Sequence, residues 1–167
     1  MLLVFLILAT TSIQAVGILS QKFLYGVSAL SLNGNGYARV GVLNKEYEAG
    51  VIFRSESNEV SNGATNTNLF EYGISGSYKR SLTEKLDLTF GGVLTMFNGK
   101  DQGLSITGGT FFAPFVGLQN AITPLLLLDV AYYPFTMTSL SFSGGTIQKS
   151  TLNAVSASVT WIMPQAF

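Results

Sequence analysis

Few residues in this chain could carry chemistry. Among 167 residues there are nine Lys and Arg, nine Asp and Glu, no histidine and no cysteine. A serine hydroxyl becomes a nucleophile only beside a base poised near neutral pH. With no imidazole anywhere, that route is closed. Thiolate nucleophiles, disulfides and cysteine-rich zinc sites are excluded with it. Paired carboxylates fare no better. Glu48 and Glu56 lie eight positions apart, about 26 Å along one strand at about 3.3 Å per residue, beyond either glycosidase spacing. Glu71 and Asp129 could meet across an enclosed interior, but ion pairing is the expected role there. Glu56, Glu59 and Asp101 are too sparse for a cation site. Asn33-Gly34-Asn35-Gly36 lacks the helix and lysine of a phosphate loop and reads as a hairpin turn. The sequence therefore predicts no catalytic residue, no cofactor, no metal and no enzyme.

The same charged residues say more through their placement. Period-two segments are expected at about 22–32, 36–44, 46–57, 68–79, 85–97, 105–119, 124–137 and 150–163, separated by turn-rich breaks. In the fourth, Phe70, Tyr72, Ile74 and Tyr78 oppose Glu71, Gly73, Ser75, Ser77 and Lys79. In the third, Tyr47, Ala49, Val51 and Phe53 oppose Glu48, Gly50, Arg54 and Glu56, with Ile52 the one exception. The fifth sets Leu86, Leu88, Phe90, Leu94 and Met96 against Asp87, Thr89, Gly91 and Thr95. The eighth sets Val155, Ala157, Val159, Trp161 and Met163 against Ser156, Ser158 and Thr160. In the first, sixth and seventh the sides cannot be assigned; Phe111-Phe112 and Leu125 to Leu128 are apolar on both.

Arg39, Glu48, Arg54, Glu56, Glu71, Lys79, Asp87 and Asp129 fall on the polar faces, and the other charges fall in turns, loops or strand ends. None falls on an assigned apolar face. An Arg or Lys facing lipid at mid-depth costs roughly 2–4 kcal/mol, so this pattern suits a sheet turned outward to hydrocarbon. Composition agrees: 11% charged residues against about 25% in an average soluble domain, 47% apolar and a mean hydropathy of +0.39. No apolar run of about 18 residues follows the N-terminus to form a helical span. The formal net charge is zero and the pI about 6.2, which gives no reason to expect nucleic acid.

The expected fold is all-β, an eight-stranded antiparallel up-and-down transmembrane barrel over residues 16–167. Eight strands leave a lumen just wide enough to be filled by side chains. Its three cations and five anions are expected to pair, Arg54 with Glu71 near one rim and Lys79 with Asp87 near the other. Outer loops are expected at 33–36, 58–67, 98–104 and 138–149, three of the four longer than every inner turn at 44–45, 80–84 and 120–123. Bulges or strand ends are expected at Pro114 and Pro134. Tyr47, Tyr78, Tyr132, Tyr133 and Trp161 are expected in girdles at headgroup level. Residues 1–15 read as a signal peptide: an apolar core from Leu2 to Leu8, then small and polar residues to Ala15, without a preceding Lys or Arg.

The C-terminal strand, with Val159, Trp161, Met163 and the terminal Phe167 on one parity, resembles the assembly signal of bacterial outer-membrane barrels. Gln165 and Pro164 depart from that pattern. The stretches Pro114 to Gln119, Ile122-Thr123-Pro124 and Asp129 to Tyr133 resemble the penultimate hairpin of OmpA-like and OmpW-like barrels. The resemblance implies export to an outer membrane, insertion by the barrel-assembly machinery, and a monomer in the lipid bilayer. It implies anchoring, adhesion or passage of small hydrophobic molecules; enzymatic members of this class typically use histidine. For an OmpW-like route, Leu30, Leu32, Val93 and Phe97 would have to face inward near the outer rim. A soluble lipocalin-like carrier is the remaining alternative, and it requires the Phe70/Tyr72/Ile74/Tyr78 face to point inward.

Overall fold

The structure is a computed structural model that describes residues 23–32, 35–59, 66–101, 104–142 and 144–163. Eight strands follow one another: β1 (Leu24–Leu32), β2 (Asn35–Leu43), β3 (Tyr47–Glu59), β4 (Asn66–Ser81), β5 (Leu86–Asp101), β6 (Leu104–Thr123), β7 (Leu126–Phe142) and β8 (Gly145–Met163). Each pairs antiparallel with the next, and β1 pairs with β8 to close the barrel. The expected signal peptide and Phe167 lie outside the described residues.

Alternation in the sequence becomes sidedness in the wall. On β4, Phe70, Tyr72, Ile74 and Tyr78 are exposed on the outside while Glu71, Ser75 and Lys79 are buried inside. The contrast is steep: Ile74 is 62% exposed and Glu71 0%. Ile52, which breaks the alternation on β3, faces the lumen and is fully buried. A dissolved carrier with its apolar face turned inward is ruled out by this arrangement.

Bulges account for the sixth and seventh strands, whose sides the sequence left open; β1 is regular in both its pairings. The β6–β7 register shifts between Phe112 and Val116, opposite the segment containing Pro134. A proline cannot donate to the ladder, and an inserted residue flips the side-chain alternation. Inward positions on β7 accordingly run Leu127, Asp129, Ala131 and Tyr133, then switch to Thr136. On β8, Asn153 has φ 59°, and the inward set switches there to Ala154, Ser156, Ser158 and Thr160. On β6 the shift between Ile106 and Gly108 moves the inward set from Ile106 to Phe111, Ala113, Gly117 and Gln119, so Phe111 is buried and Phe112 exposed. Tyr133, expected in a girdle, is turned into the lumen by the parity it shares with Asp129 and is only 2% exposed.

The expected loop asymmetry is corrected. β5 runs to Asp101 with β6 starting at Leu104, and β7 runs to Phe142 with β8 starting at Gly145. Segments 98–104 and 138–149 are therefore mostly paired strand. Their Ser, Thr and Gly residues join the ladder because a neighbouring strand is present to accept them. The wall is uneven instead: β1 and β2 have nine residues each, β6 twenty and β8 nineteen. Pairing of β1 with β8 ends at Leu32↔Ser156. Among the described residues, β8 from Gly145 to Val155 has a strand neighbour only in β7.

Candidate functional site

The lumen is layered along the barrel axis. Nearest the end with turns at 44–46, 82–85 and 124–125 lies an ionic layer. Arg39 of β2 is ion-paired with Glu48 of β3, and it donates from Nη2 to Ser28 Oγ at 2.9 Å and Thr160 Oγ1 at 3.3 Å. Lys79 Nζ lies 3.8 Å from the other oxygen of Glu48 and donates to Gln119 Oε1 at 3.2 Å. Gln119 Nε2 donates onward to Glu48 Oε2 at 3.2 Å and Asp129 Oδ1 at 2.6 Å, and Ser158 Oγ donates to Asp129 Oδ2 at 3.0 Å. Strand register brings this set together: Gln119 is directly opposite Asp129, and Asp129 is opposite Ser158. Small residues make the space. Gly91 faces inward, and a side chain there would meet Phe115 and Ser77.

An apolar belt follows, formed by Leu32, Tyr37, Ile52, Val93, Phe111, Ala113, Ala131, Tyr133 and Ala154, with Leu30, Phe97 and Phe115 packed against it. A smaller apolar group of Leu43, Leu127 and Ile162 closes part of the turn end. On the loop side of Ile52 and Val93 stands a second ionic layer. Arg54 Nε is 3.3 Å from Glu71 Oε2, with Glu56 3.6 Å from Nη2. The Arg54 guanidinium lies over the Tyr37 ring, 5.4 Å from its centroid. Tyr37 donates its hydroxyl to Glu71 at 3.0 Å, and Thr95 donates to the other Glu71 oxygen.

Against the sequence expectations, Arg54 sits opposite Glu71 in register and in contact with it. Lys79 is a correction: its carboxylate partner is Glu48 and not Asp87. Asp87 lies opposite Ser81, one step nearer the turn, where it is half-buried. The ammonium reaches toward the deeper, dehydrated carboxylate. Sequence reasoning missed Gln119, Tyr37 and Thr95. Gln119 shares a face with Gly117 and Phe115 in unbroken register with Asp87, Thr89 and Gly91, and the mixed apolar and polar character of that face hid it. Val159, Trp161 and Met163 are exposed on the outer wall. Among the described residues no group of acidic side chains is arranged to hold a metal ion.

An eight-strand closed wall, apolar outside and ionic inside, can be compared with known structures. The Neisserial surface protein A matches with a TM-score of 0.53 at 14% identity, over 84% of this chain and 94% of that one. The fold is that of the small eight-stranded outer-membrane barrels. A de novo designed transmembrane β-barrel (TM-score 0.45, 12% identity, 86% and 98% covered) also matches. So does Ail, the attachment invasion locus protein of Yersinia pestis (TM-score 0.43, 13% identity, 84% and 95% covered). No family model and no curated protein matches the sequence. In this barrel the belt and its two ionic layers fill the middle of the lumen with side chains.

Proposed function

We propose that this barrel is an outer-membrane protein with a structural, adhesive or interaction role, carried by its wall and outer rim, with the lumen filled. The observation that carries this reading is the sidedness of the wall: Tyr72, Ile74, Leu94, Val130 and Trp161 outside, Glu48, Glu71 and Lys79 inside. A closed barrel leaves no sheet edge unpaired within hydrocarbon, and an outer face whose charges, such as Arg80 and Lys100, lie near strand ends avoids a cost of roughly 2–4 kcal/mol per Arg or Lys at mid-depth. Residues 1–15 would direct export. Val159, Trp161, Met163 and Phe167 would present the last strand to the barrel-assembly machinery, and the inserted protein would be a monomer. Ail and the Neisserial protein are a named attachment protein and a surface protein respectively, in keeping with the adhesive part of the reading.

The filled lumen favours this over a channel for hydrophobic molecules. Leu30, Leu32, Val93 and Phe97 do turn inward, but they are packed into the belt. The cavity beside them measures about 40 Å³, whereas a cavity of about 150 Å³ is what accepts benzene. The deciding test is electrophoretic. Detergent-extracted protein should change mobility on boiling and should fractionate with membranes. A band that does not move, or recovery in the aqueous fraction without detergent, would overturn the reading.

A further inference from the structure

The cavity in the lumen has a composition that the filled-lumen reading does not use. On its turn side it is lined by Arg39, Glu48, Ser77, Thr89, Asp129 and Ser158. On its loop side the lining changes to Leu30, Val93, Phe115, Ala131 and Tyr133, members of the belt or packed against it. The Ser75 hydroxyl also lines it; Ser75 is 7% exposed, and its Oγ has no hydrogen-bond partner. A buried hydroxyl is rarely left unsatisfied, and about 40 Å³ beside polar groups is room for roughly two or three waters. The lining charges Arg39, Glu48 and Asp129 are balanced by Lys79, which stands behind the lining against Glu48, so the chamber asks for a neutral polar occupant. The belt above offers water little: the hydroxyls of Tyr37 and Tyr133 are engaged by Glu71 and Ser156, and every strand that sends a polar side chain to the chamber turns to an apolar or aromatic side chain or to glycine one or two inward positions toward the loops. Examples are Thr89 to Val93, Asp129 to Ala131 and Tyr133, and Ser156 to Ala154.

We propose that the turn-side half of the lumen is a hydrated half-pore, holding water on Ser75, and that the belt around Ile52, Val93, Phe111 and Tyr133 is a dry barrier sealing it from the loop-side ionic layer. Hydrophobic constrictions stop ion passage by dewetting. The barrel is then one polar substitution layer away from conducting, with ion-bearing walls on both sides of the seal. With three cations and five anions lining the lumen, the opened pathway prefers cations.

This inference rests on the membrane reading, and two experiments separate them. In planar bilayers the unaltered protein should be silent. The double variant Val93→Ser/Phe111→Ser should raise conductance ~10-fold or more above that baseline, with a reversal potential that favours potassium over chloride. Leu118→Ser, on the outer wall, should stay silent. Heat-shifted gel mobility of each variant reports insertion and folding independently, so failure of the membrane reading shows there first. Conductance by the unaltered protein, or a folded belt variant that remains silent, would refute the barrier. Should the belt variants not fold, a crystal structure of the unaltered barrel decides. Ordered water within hydrogen-bonding distance of Ser75 Oγ and none among the belt side chains supports the half-pore; a dry chamber or a water file through the belt refutes it.

Discussion

Glu71 shows how a single buried charge is tolerated. It is fully buried, accepts hydrogen bonds from Tyr37 and Thr95, and faces Arg54, itself only 10% exposed. Desolvating both ions is expensive, and their attraction with added hydrogen bonds offsets it only when geometry is good. Removing one partner strands the other. Glu71→Leu alone should therefore lower unfolding stability by about 3–5 kcal/mol, read as a lower urea midpoint in detergent. The double variant Arg54→Met/Glu71→Leu should recover most of the loss. A double variant as unstable as the single one would mean that the pair does more than neutralise itself. The sequence made Arg54 and Glu71 candidates because both lie on polar faces of neighbouring strands. The partner of Lys79 was harder to read, because Glu48 and Asp87 flank it diagonally on opposite strands and only burial distinguishes them.

At the level of strands, period two is legible on β3, β4, β5 and the last half of β8, where the inward positions are mostly polar or small; β1 is as regular, but its inward Leu30 and Leu32 hide the side. The alternation fails at the bulges, since one inserted residue exchanges inside for outside without any change in composition. Phe111-Phe112 was unassignable for that reason, whereas the inward turn of Tyr133 follows from Asp129 by unbroken alternation. Close strand approach is a second element-scale feature with a test. A Cβ on the inward Gly73 would collide with the Leu94 carbonyl oxygen and the Thr95 backbone, whereas at the outward Gly76 the nearest atom would be the Glu48 carbonyl oxygen at 3.7 Å. Gly73→Ala should reduce the heat-modifiable fraction after refolding, and Gly76→Ala should leave it unchanged. Equal yields would show that β4 and β5 can separate at Gly73 without loss.

For the molecule as a whole, the outer wall is apolar along its middle, with polar and charged residues such as Ser57, Arg80 and Lys100 toward the strand ends, and its chemistry is tested by placing a charge on the apolar part. Ile74→Arg, mid-strand and exposed, should cost roughly 2–4 kcal/mol in a bilayer, seen as poor insertion into lipid vesicles. Leu82→Arg, exposed in the turn after β4, should insert normally. Matching behaviour of the two would argue that Ile74 never meets acyl chains. Fold class and strand count were readable because a closed wall repeats one rule eight times. The length of the outer connections was not, because Ser, Thr, Gly and Asn serve turns and strand extensions alike, and only the presence of a paired neighbour separates those uses.

The short β1–β2 hairpin also fixes how deeply the proposed membrane protein sits. Where β8 outruns β1, from Gly145 to Val155, its amide and carbonyl groups on one side have no strand partner among the described residues, and acyl chains cannot supply such partners. That stretch must stand in the aqueous headgroup zone or above it. The top of the β1–β2 hairpin consequently marks the waterline, and the taller β6–β8 side rises past it like the high side of a slanted rim.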